Sequence, residues 1–92
     1  MVVGICSLVI YLPHCHSLKE KRSVLRSLKD RLRARNISIA EVDSQDLWQR
    51  AVIGIAAVGD GRASVEDRLR AIVNDIENRI PGEIVERDLS FV

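Results

Sequence analysis

Eight Lys and Arg side chains fall between Ser17 and Arg35, in a 92-residue chain whose net charge is only +1. Against Glu20 and Asp30 that segment carries +6, so the rest of the chain carries −5. A cationic segment set in an anionic body can bind phosphate, and the spacing says which residues would do it. At about 100° per residue, Lys19, Arg22, Arg26, Lys29 and Arg33 share one stripe of a helix, beside its leucine face. The stripe is roughly 20 Å long, enough to follow several phosphates of a nucleic acid strand. A solvated helix face has the same composition, because long cationic stems cover apolar surface while their heads stay in water.

Lys21 is a separate case. It projects between Leu25 and Leu28, toward the core, where an unpaired ammonium is costly. Asp43 and Asp46 are its expected partners, in an ion pair tying the helix to the following hairpin. The alternative is a small-anion cradle built from Ser17 and Lys21, with Lys19, Arg22 and the free amides of the first turn. His14 and His16 would add to it at lower pH.

Other chemistry finds less support. His14, Cys15 and His16 are zinc ligands by type, but successive residues do not converge on one tetrahedral ion. No metal and no cofactor are expected. Cys15 has neighbouring histidines but no third group to orient a base. Glu41, Asp43 and Asp46 alternate in direction along a strand and do not gather around magnesium. "VGDGR" lacks the spacing of a phosphate loop. A non-enzyme is the expectation. Trp48, in "QDLWQR", can stack a base, anchor a partner, clamp its own loop or pack at a subunit interface. Asp46 and Arg50 are expected to pair across that turn. Asp46, Trp48 and Arg50 are therefore candidate contact residues.

The elements that must position these groups read clearly. Val2 to Leu12 is β-branched and apolar, a first strand ended by Pro13. Ser17 with Glu20 forms a capping box, opening a helix that runs to about Arg35 with Leu18, Leu25, Leu28 and Leu32 inward. Ile37 to Asp43 and Arg50 to Val58 read as strands. Ala63 to Ile80 is a second helix, stopped by Pro81 and Gly82, and Glu83 to Val92 is a last strand. The order β-α-β-β-α-β, over one domain of residues 1–92, predicts an α+β ferredoxin-like sandwich. Its antiparallel sheet has strand order 4-1-3-2, with both helices on one face. The start of the first helix and the loop between the second and third strands then lie at the same end.

Those two segments carry a resemblance. "HSLKEKRSVLRSLKDRLRAR" followed by "AEVDSQDLWQRAVIGIA" resembles the YlxP-like family, small bacterial proteins labelled as of unknown function. The resemblance covers essentially the whole chain. It implies a ferredoxin-like fold, a cytoplasmic location and, from the genes beside which relatives lie, a link to the ribosome. It supplies no catalytic or binding residue. Related sequences place polar residues at alternate positions of the first strand, whereas this chain has Val3, Ile5 and Val9 there.

Three functional readings follow. One is an RNA- or ribosome-associated protein using the basic helix, with ribosomal RNA or a ribosomal subunit as partner. A sheet-face RNA reader is excluded, because it needs aromatics on the first and third strands and "RAVIGIAAV" has none. The second is a homodimeric scaffold paired through the open sheet face, which two helices cannot cover and whose apolar patch a monomer rarely tolerates. The third is a small-anion regulatory module. No apolar run approaches the roughly 20 residues of a membrane span, and no secretory signal pattern opens the chain.

Overall fold

Val2–Tyr11 (β1) is apolar on one of its alternating sets and, apart from Ser7 and Tyr11, on the other, which suits a strand at the centre of a sheet. The computed structural model describes residues 1–92 and places it there. The chain continues through α1 (Leu18–Ala34), β2 (Ser38–Asp43), β3 (Arg50–Gly59), α2 (Arg62–Arg79) and β4 (Glu83–Phe91). All strand pairs are antiparallel, in the order β2-β3-β1-β4. This is the expected 4-1-3-2 order read from the other edge, and the βαββαβ arrangement is ferredoxin-like.

Alternation decides what is buried. Cys6, Leu8 and Ile10 of β1 and Ala51, Ile53, Ile55 and Ala57 of β3 point to the helical side. There they meet Leu25, Leu28 and Leu32 of α1 and Val65, Leu69, Ile72 and Ile76 of α2. Gly4 lets α2 come close: a Cβ built there would lie 2.6 Å from both Leu69 Cδ1 and Val65 Cγ1. The register shifts between Glu41 and Asp43 against β3, and between Val9 and Ile10 against β4, each leaving one extra valine (Val42, Val85).

α1 ends in a Schellman arrangement. Asn36 adopts φ 59, its N–H reaches Arg33 O, and the N–H of Ile37 reaches Leu32 O. At the other end the two motif segments meet as the topology requires. Leu12 N–H donates to Gln49 O at 2.9 Å, and Gln49 Nε2 donates to Pro13 O at 3.1 Å. No helix is long and apolar enough to cross a membrane.

Candidate nucleic-acid interface

The first turn of α1 sets the geometry. Ser17 is the N-cap in extended conformation, and its hydroxyl accepts Glu20 N–H at 3.1 Å. The Glu20 carboxylate accepts from His16 N–H at 2.7 Å, one residue before the cap amide that a capping box predicts. This acid therefore braces the incoming chain instead of neutralising the neighbouring cations.

Lys21 turns inward and is fully buried. Its ammonium donates to Ser44 O at 2.8 Å and Arg50 O at 3.1 Å, and sits 2.7 Å from Glu41 Oε2. The carboxylate contact is a close ion pair without hydrogen-bond alignment. The partner is thus Glu41, and not Asp43 or Asp46 as expected. The reason is alternation: Glu41 pairs with inward-facing Ile53 and shares its side of the sheet. Asp43 instead accepts the N–H of Ser44 at 2.7 Å. Ser44 takes φ 59, so strained backbone helps aim its carbonyl at Lys21. Buried, bonded to two carbonyls and neutralised by the Glu41 carboxylate, the ammonium is closed to an outside anion, and the Ser17 hydroxyl is already engaged.

The stripe is the opposite. Lys19, Arg22, Arg26 and Arg33 are exposed and Lys29 is half-buried. None of the five takes part in an ion pair of the chain. Arg31, on the other flank of the helix, pairs with Asp75 of α2 at 3.8 Å, and Arg79 holds the same carboxylate at 2.8 Å. Arg31 fixes the flank that faces α2, so the stripe occupies the flank away from it, toward the β2 edge. Arg33 accordingly shares a shallow hollow with Ser38 and Ile39 of β2.

At the same end as the helix start, Tyr11, His16, Asp46, Trp48 and Arg50 line an open cleft with Leu47 and Gln49. Trp48 is 52% exposed, leaving about half of it open to the cleft. The expected Asp46–Arg50 pair does not form: the two carboxylate and guanidinium groups share the cleft without an ion contact. The loop is held by Gln49 on Pro13 instead.

A family model described as "Protein of unknown function (DUF503)" matches residues 3–89. The chain belongs to the DUF503 family. It is also similar to the "Uncharacterized protein YlxP" of Bacillus subtilis (strain 168), with 40% identity over 74 residues. That alignment covers 79% of this chain and 78% of its relative, so the YlxP-like resemblance extends well beyond the two quoted segments. Neither description assigns a ligand or a reaction.

The thiols of this DUF503 chain are poor nucleophiles as they stand. Both are buried and free. Burial pushes the Cys15 thiol up from its ordinary 9.0, with Glu20 adding and Lys21 opposing. Burial likewise raises Cys6, against a smaller opposing pull from Arg87. His14 and His16 are exposed while Cys15 between them is buried, and no three His, Cys, Asp or Glu side chains gather at metal-binding spacing. Sequence reasoning missed Glu41 as the partner of Lys21, although counting along β2 from inward Ile37 and Ile39 would have found it. It also missed Tyr11 and Leu47 in the cleft, which alternation along β1 and the end of the hairpin could have suggested.

Proposed function

We propose that this DUF503 chain is a non-catalytic, cytoplasmic RNA-binding protein that docks along the α1 stripe, with ribosomal RNA as its target. The observation that carries this reading is the free state of Lys19, Arg22, Arg26, Lys29 and Arg33 in a chain that pairs Lys21 and Arg31 internally. No carboxylate of the chain, Asp30 on the same helix included, lies within ion-pair distance of these five. The ribosome-linked role that the YlxP-like resemblance implies makes the ribosomal subunits the first targets to try.

Recognition in this reading is electrostatic and follows backbone shape, since the sheet offers no stacking platform. Charge reversal tests it. Arg26 and Arg33 are exposed and unpaired, so the double variant Arg26→Glu/Arg33→Glu should fold normally. It should lose co-sedimentation with ribosomal subunits at low salt and reduce the salt slope of any residual binding by about 2. Unchanged binding by that variant contradicts the proposal.

A further inference from the structure

The face of the sheet opposite the helices has no cover from the chain. Around the central Ser7–Gly54 pair it is largely apolar, with Val3, Ile5 and Val9 of β1 beside Val52, Ala56 and Val58 of β3, Val9 being only 8% exposed among its neighbours. Ile5 is 39% and Val58 57% exposed. Val42 joins them across Gly54, where a built Cβ would lie 3.3 Å from Val42 Cγ1. Soluble monomers rarely leave so contiguous an apolar patch open.

Charge on this face is ordered. β4 sets Glu83, Glu86 and Asp88 opposite Tyr11, Val9 and Ser7, forming an acidic margin along one side. Arg50 is the cation facing the same way, directly across from Tyr11 at one end. Neither Arg50 nor any of the three acids has an ion-pair partner within the chain. Tyr11, Trp48 and Arg50 line the cleft at that end, and Tyr, Trp and Arg are the residue types that dominate binding hot spots.

We infer that a second copy of this chain covers the face, related by a two-fold axis parallel to the strands and running between β1 and β3. Such an axis lays β1 of each copy over β3 of the other, so Arg50 of one copy faces Tyr11 of its partner. The partner's Glu83 then stands one strand spacing to the side, within reach of the guanidinium. The two acidic β4 strands go to opposite outer margins instead of facing each other. Asp43 shares each margin with the opposing β4, where solvent screens like charges. A perpendicular in-plane axis would set β4 against β4 and bring Asp88 toward its own copy.

The area is adequate. Three strands of 9 or 10 residues and the 6-residue β2, about 4.8 Å apart and rising about 3.3 Å per residue, present on the order of 550 Å². With the Trp48 loop added, this approaches the roughly 800 Å² per partner of a standard stable interface. The inference is independent of the RNA reading, since α1 lies in the opposite layer.

Sedimentation equilibrium between about 1 and 100 μM tests it. Wild type should weigh twice the 10.3 kDa chain mass. Ile5→Glu and, separately, Val58→Glu should be folded monomers by circular dichroism. Arg50→Glu should weaken association at least tenfold, and Arg50→Glu/Glu83→Arg should recover most of it. A wild-type monomer at 100 μM would overturn the inference, including the case in which an RNA or a different protein occupies the face. So would a dimer that survives both Ile5→Glu and Val58→Glu. Failure of the charge swap to recover association would reject the proposed axis.

Discussion

One buried lysine and two buried cysteines show how single side chains are fixed by what surrounds them. Lys21 joins α1 to both sides of the β2–β3 loop through Ser44 O and Arg50 O, and to β2 through the Glu41 carboxylate. Lys21→Met keeps the stem but strands Glu41, so unfolding in urea should show a loss of about 3–5 kcal/mol. Replacing both partners, as Lys21→Met/Glu41→Leu, should recover most of that loss, because the lone buried charge is what destabilises. A double variant no better than the single one would mean that the two carbonyls matter more than the carboxylate. The thiols give a pH signature. Burial raises Cys6 and Cys15 above 9.0, so the fold favours the protonated form. Stability from this source is complete below pH 9.0, and is lost as pH rises through the raised folded values, because the unfolded chain ionises first. Urea midpoints should fall in the alkaline range, less steeply in Cys15→Ala. At about pH 7 both thiols should resist iodoacetamide until the chain is unfolded.

At the scale of elements, the periodic signals were legible and the pairings were not. Leu25, Leu28 and Leu32 of α1 and the set Val65, Leu69, Ile72, Val73 and Ile76 of α2 lie in the core as spacing predicts, whereas Leu18, in the first turn of α1, is only half-buried and stays outside it. Strand order and the meeting of the α1 start with the β2–β3 loop followed from topology alone. Lys21 pairs with Glu41 and not with the loop acids Asp43 or Asp46, because strand alternation turns Glu41 to the inward face. Asp46 and Arg50 stay unpaired, and the loop is tied by Gln49 to Pro13, a bond that sequence spacing does not reveal. The register shifts that expose Val42 and Val85 also leave no local signature. Element packing makes its own prediction at Gly4. A methyl group there meets Leu69 and Val65 side chains at 2.6 Å, so Gly4→Ala should push α2 outward and cost about 1–3 kcal/mol by overpacking. An unchanged urea midpoint would show that both side chains rotate away freely.

For the molecule as a whole, the decisive feature is the separation of charge and apolar surface onto different faces. The helical layer displays unpaired cations along the flank of α1, while the open sheet face carries valines with an acidic margin on β4. Polyphosphate and a second protein copy would therefore be met by opposite sides of the same sandwich, with neither blocking the other. A dimer formed through the sheets would carry two stripes on its outer surfaces. The central claim is that the stripe binds nucleic acid by neutralising phosphates. The most direct measurement is the affinity of the wild-type chain for ribosomal RNA, by fluorescence anisotropy, across a salt series from about 50 to 200 mM. With about five phosphate contacts per stripe, the plot of log affinity against log salt should fall with a slope of about −3 to −5. A flat plot, or no binding at the lowest salt, would contradict the account.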